Sequence, residues 1–167
     1  MFMAYGIGRI GLVGALILAI AALAGCAVPT PEQLAAKNRL LTSYPPPGEA
    51  RIWIFRTFDP SITENTPAVL INGRIVGVAW LGSAFYNDVP PGNYAITVES
   101  RGTAPFQFAH IGLAAGQVVY IKVDPNNWWA GVCWRCQIDT YYTLVQSPQL
   151  ALAQLATIPI GPSGYAR

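Results

Sequence analysis

The dipeptide Asn72-Gly73 stands between two apolar runs in A-V-L-I-N-G-R-I-V-G-V-A-W, residues 68–80. Asn and Gly tolerate the positive φ angles of a type I′ turn, whose twist matches that of paired strands, so this stretch predicts a β-hairpin. The surrounding sequence follows the same pattern. A-R-I-W-I-F-R at 50–56 is rich in β-branched and aromatic residues, with Ile52 and Ile54 on one face and Trp53 and Phe55 on the other. A strand apolar on both faces is expected to be covered on both sides. F-Y-N-D-V at 85–89, the turn Pro90-Pro91-Gly92, and Y-A-I-T-V-E-S at 94–100 predict two further strands. In the second, Tyr94, Ile96 and Val98 alternate with Ala95, Thr97 and Glu99, the period of a half-buried strand. Residues 106–111 and 118–123 read as strands joined through A-A-G-Q at 114–117, and 137–145 as the last. Short strands at regular spacing with no helix between them predict a mainly β fold, an antiparallel β-sandwich of about seven or eight strands over residues 49–146.

Helical signals occur only at the flanks. Thr30, Pro31 and Gln33 form a capping-box pattern ahead of E-Q-L-A-A-K-N-R-L-L, which predicts a short helix. Pro45-Pro46-Pro47 then predicts an extended spacer, so residues 26–48 read as a Pro-rich tether. Ser147-Pro148 starts a short C-terminal helix over 147–158, with Leu150, Leu152 and Leu155 placed to cover a sheet face. Residues 159–167 read as a loose tail.

The chain begins with Arg9 as its only charge before an apolar run from Ile10 to Leu23, then Ala24, Gly25 and Cys26. This is the layout of a secretory signal ending in small residues. An uncleaved membrane helix would need about 20 apolar residues, but here the run is short, glycine-interrupted and ends in a cleavage pattern without a Lys or Arg anchor. The stretch L-A-G-C resembles the lipobox of bacterial lipoproteins. That resemblance implies cleavage after residue 25, a diacylglycerol on the Cys26 sulfur, acylation of the new amine, and a membrane held through the lipid. Ala27, where aspartate would signal inner-membrane retention, points the resemblance to the outer membrane, with the inner membrane as the alternative; the domain faces the periplasm or the cell exterior.

Removing residues 1–25 from the 167 leaves 142, a length that fits one domain. Taking Arg9 from the ten Lys and Arg leaves nine against eight acidic residues, a balance with no electrostatic footprint for nucleic acid.

Four motifs follow one another in order: P-P-P-G-E-A-R-I-W-I-F-R, L-I-N-G-R-I-V-G, V-P-P-G-N-Y-A-I-T-V and A-A-G-Q-V-V-Y-I-K-V. Together they resemble the bacterial lipoproteins that carry the domain of unknown function numbered twenty-eight forty-six. The resemblance covers about residues 45–145. It implies a tethered sandwich of the transthyretin-like or immunoglobulin-like type, with no established catalytic residues and no cofactor beyond the acyl groups on Cys26. The chain departs from that pattern through W-W-A-G-V-C-W-R-C, inserted between its last two strands.

That insertion holds most of the candidate chemistry. Cys133-x-x-Cys136 fits either a structural disulfide in an oxidising periplasm or the reactive thiol pair of a thiol-disulfide oxidoreductase. An α/β context for the second is missing. Residues three apart on an extended strand sit about 10 Å apart, beyond the reach of a disulfide, so a bridge requires a turn at Trp134-Arg135. Trp128, Trp129 and Trp134 either plug one end of the sandwich or form a platform for a glycan, a lipid or a protein partner. Two cysteines and the lone His110 fall short of the four ligands of a structural zinc, so no metal is expected. His110 lies on a strand, where an exposed or hydrogen-bonded imidazole is expected. Asp59, Glu64, Asp88 and Glu99 are scattered without a paired-carboxylate pattern, and no G-x-S-x-G occurs. The expectation is a non-enzymatic interaction or structural module with an envelope protein as its partner class. A periplasmic oxidoreductase using Cys133 and Cys136, and a glycan or lipid binder through the tryptophans, are the alternatives.

Overall fold

The computed structural model describes residues 28–59, 65–100, 106–125 and 140–161. The chain divides into two compact units, Met1–Ala36 and Lys37–Arg167, with the boundary falling inside the first described helix, α1 (Pro31–Leu41). In the first unit the capping box forms as the sequence predicts. The Thr30 amide donates to Gln33 Oε1 at 2.9 Å, and the Gln33 amide donates to Thr30 Oγ1 at 3.2 Å. Two amides that the first turn leaves without helical partners are thereby satisfied.

The second unit is a β-sandwich. Its strands are β1 (Ala50–Arg56), β2 (Ala68–Ile71), β3 (Arg74–Val78), β4 (Ser83–Val89), β5 (Gly92–Val98), β6 (Phe108–Leu113), β7 (Val118–Pro125) and β8 (Tyr141–Gln146), followed by α2 (Pro148–Thr157). One sheet has the order β4-β1-β7-β8 and the other β3-β2-β5-β6. Asn72 and Gly73 take φ angles of 49° and 76° between β2 and β3, the turn their sequence predicts.

The eight-stranded sandwich is the one the sequence predicts, with one parallel pair among its antiparallel ones. β1 and β7 pair in parallel, from Arg51 opposite Val118 to Phe55 opposite Lys122. A parallel pair requires a long connection, and here the whole second sheet and β4 intervene. The other sheet is antiparallel throughout.

β1 is buried along its length, and its two faces serve two cores. Ile52 and Ile54 join Val69, Ile96, Ile121 and Phe85 between the sheets. Trp53 and Phe55 meet Tyr120, Leu41, Ala151 and Leu155 on the outer side. Each such buried side chain contributes about 1.5–3 kcal/mol by leaving water. On one side of the sandwich Thr143 links the sheets, its amide donating to the Phe106 carbonyl at 3.0 Å and its hydroxyl to that of Gln107 at 2.9 Å. On the other side Gly77 faces the Phe85 ring.

The flanks differ from their sequence reading. The predicted extended spacer is a turn: the Glu49 amide donates to the Pro46 carbonyl at 3.0 Å, and Gly48 takes φ 85°. Pro at the second position and Gly at the third suit a type II turn, and that local preference prevails over a polyproline helix. Leu41 and Pro45 are buried, so the folded unit takes in residues 37–48 that the sequence assigns to a tether. In α2, Leu155 and Ala151 are fully buried, but Leu150 is 61% exposed. Leu150 precedes Leu155 by five residues, about 140° round a helix of 3.6 residues per turn, which turns it to solvent. The start of the tail is held. The Ala84 amide donates to the Pro159 carbonyl and the Gly161 amide to the Ala84 carbonyl, at 3.0 and 2.7 Å.

Candidate functional site

The two sheets treat their outer faces differently. That of β4-β1-β7-β8 is covered by α2 and by the lead from Lys37. Lys37 Nζ donates to the carbonyls of Ala156 and Ile158 at 2.7 and 2.6 Å, tying the lead to the end of α2. Partial burial lowers the pKa of this ammonium from its ordinary value. Below it, Arg51 Nε and Nη2 donate to the two Asp88 carboxylate oxygens at 2.6 and 2.8 Å, and Nη1 donates to Ser43 Oγ at 2.7 Å. Its guanidinium lies 4.2 Å from the centre of the Tyr86 ring. The hydrogen bond with Asp88 raises the Arg51 pKa above its ordinary value, and burial raises that of the Tyr120 phenol. A bidentate pair of this kind consumes both partners and fixes geometry. It is a clasp holding Ser43 on the sheet.

At the other end of β1, Arg56 is fully buried, with Nη1 donating to the Asn65 carbonyl at 2.6 Å and its guanidinium 5.2 Å from the Tyr141 ring centre. The sequence reading takes A-R-I-W-I-F-R as an apolar strand and assigns neither arginine a role. The available signal is their position, one near each end of a strand with no polar face: Arg51 meets the Asp88 carboxylate of the paired strand β4, and Arg56 the carbonyls of Asn65 and Ala79 beyond the strand ends.

No described helix or loop packs over the outer face of β3-β2-β5-β6. Pairing places Ile75 opposite Leu70, Leu70 opposite Thr97, and Thr97 opposite Phe108, a row running across all four strands. Ile75 and Phe108 are each 55% exposed at its ends. A β-bulge between Val69 and Leu70 resets the register so that Ile75, and not Val76, pairs with Leu70. Along β6, His110 stacks beside Phe108, with ring centres 6.1 Å apart and planes 17° from parallel. The imidazole is exposed, within the expectation for this residue. Beside it an open groove of about 400 Å³ is lined by Asn72, Asn93, Ala95, His110 and Gly112 among others.

Of the other residues that the sequence singles out, Cys26, Trp128, Trp129, Cys133, Trp134, Cys136 and Glu64 lie outside the described residues. Asp88 is held by Arg51, and Asp59 and Glu99 sit on separate segments. Among the described residues no three His, Cys, Asp or Glu side chains come together as metal ligands. The chain matches no protein-family model and no curated protein.

Proposed function

We propose that the chain is a lipid-anchored cell-envelope lipoprotein whose β-sandwich acts as a non-enzymatic interaction module, with the outer face of β3-β2-β5-β6 as its contact surface. The observation that carries this reading is the asymmetry between the two outer faces. One is sealed by α2 and the lead, whereas the other leaves Ile75, Phe108 and His110 exposed on a sheet with nothing described above it. Exposed large apolar side chains on a sheet face that no other described element covers are the kind of surface that proteins reserve for binding. The L-A-G-C stretch supports the anchor, and the order of the four strand motifs supports a place among the bacterial lipoproteins carrying the domain numbered twenty-eight forty-six. The outer membrane is the proposed location, following Ala27.

The test places a photo-crosslinking benzoylphenylalanine at Ile75 in intact cells, with Leu150 on the solvent side of α2 as the control position. Specific adducts from position 75 alone, lost when Cys26→Ser removes the anchor, are expected. Equal adduct patterns from both positions, or a Cys26→Ser chain that is processed and anchored like the parent, would sink the proposal.

A further inference from the structure

We infer that the groove between β5 and β6 on this open face is a binding site for a neutral oligosaccharide, an inference that rests on the interaction-module reading and names its ligand class. The groove follows from a checkerboard of side-chain size. Asn93 pairs with Gly112 and Ala95 with His110, so two polar side chains occupy one diagonal and two of the smallest residues the other. Neighbouring side chains on one face of a strand pair stand about 5–8 Å apart. Asn93 Oδ1 leans over Gly112, 3.1 Å from where a β-carbon there would stand, so the trench is floored by Ala95 between the polar walls of Asn93 and His110. Its volume of about 400 Å³ falls within the range of small-molecule sites, roughly 300–1,000 Å³.

The walls carry hydrogen-bonding capacity. Asn72 is engaged, its Oδ1 accepting from the Ala95 amide at 2.8 Å, and this fixes one end of the groove. The Asn93 carbonyl accepts from Asn72 Nδ2 at 3.4 Å, and the Asn93 side chain and the His110 imidazole are both exposed and accessible to a ligand. Asn93 offers both a donor and an acceptor, and the imidazole offers a ring N–H, groups that suit the dual character of sugar hydroxyls. The His110 ring, backed by Phe108 with which it stacks, presents one flat face to the groove, of the kind against which the C–H face of a pyranose packs. No lining residue is Asp, Glu, Lys or Arg, so nothing in the groove selects a charged ligand. Groups of this type favour a hydroxyl-rich, uncharged molecule over an anion or an acidic peptide.

The experiment records amide N–H correlation spectra of the full chain in detergent while N-acetylchitotetraose and maltotetraose are titrated in turn. Saturable shifts of Asn93, Ala95, His110 and Gly112 with at least one sugar are expected. Ala95→Leu fills the floor, and His110→Ala removes a wall. Each should weaken that binding about tenfold or more, equivalent to about 1.4 kcal/mol, with an unchanged melting temperature. Absence of shifts with both sugars at millimolar concentration overturns the inference, as does binding that Ala95→Leu leaves intact. If the sugars fail while position 75 still yields specific adducts, the ligand class is wrong and the module reading stands. If the sugars bind but position 75 gives no adduct, the trench is a saccharide site and the broader contact surface fails.

Discussion

Gly77 offers a sharp test of how the sandwich closes along its β3 and β4 edges. A β-carbon built on it would lie 2.6 Å from both Cε2 and Cζ of Phe85, and 3.2 Å from Cδ2. Contacts that short require movement, and Phe85 is buried among Ile54, Val69 and Val98 with little room to turn. Gly77 has no positive φ, so alanine meets no backbone penalty there and gains roughly 0.5–1 kcal/mol from reduced chain entropy. Overpacking of a filled core costs about 1–3 kcal/mol. The clash therefore outweighs the entropy gain, and Gly77→Ala is expected to destabilise by about 1–2 kcal/mol in urea unfolding followed by tryptophan fluorescence. Phe85→Leu removes the ring atoms that the new methyl group meets. The double variant should then lose about 1–2 kcal/mol less than the sum of the single losses. Gly116→Ala is the contrasting control: φ is 81° with open space around it, so its cost comes from backbone strain and should add to that of Phe85→Leu. A Gly77→Ala variant as stable as its parent, or a cycle that is simply additive, would refute this account of the interior.

Two further outcomes follow from the covered face. Burial holds the Tyr120 phenol above its ordinary value of 10.0, so the neutral form stabilises the fold below that pH and the contribution is lost as pH rises through the higher folded value. Tyr120→Phe should flatten the fall in melting temperature between about pH 9 and pH 11, and an unchanged slope would exclude Tyr120 as a source of that fall. Lys37→Met keeps the apolar stem but removes both hydrogen bonds to the end of α2, at a cost of about 1 kcal/mol. Hydrogen exchange should quicken in the last turn of α2, whereas unchanged protection there would show that the two Lys37 hydrogen bonds carry no weight.

What could be read from the residues divides along a physical line between local and nonlocal causes. Asn72-Gly73 determines its own φ angles, and Thr30 with Gln33 completes its own cap, so both features follow from a few adjacent residues. The alternation Tyr94, Ile96, Val98 marks an inward face because the pleat has period two, and all three side chains join the interior core. The apolar character of β1 on both sides predicted two layers of cover, which are the second sheet and the region of α2. Its parallel pairing with β7 left no such local trace. That arrangement depends on which strands of two hairpin-rich segments come to share a sheet, and the strand pattern is the same in either case.

The candidate site shows the same division more sharply. Phe108 and His110 share a face because they are two residues apart on one strand, which the sequence displays. Their place beside Asn93, Ala95 and Gly112 depends on the register of β5 against β6, in which Ile96 and Ala109 pair and meet in the core. A shift of one residue would turn His110 inward and put Ala109 on the open face. The groove is therefore a consequence of core packing on the opposite side of the sheet. Substitutions at Ile96 that loosen the register should open or erase it without touching any residue in its walls.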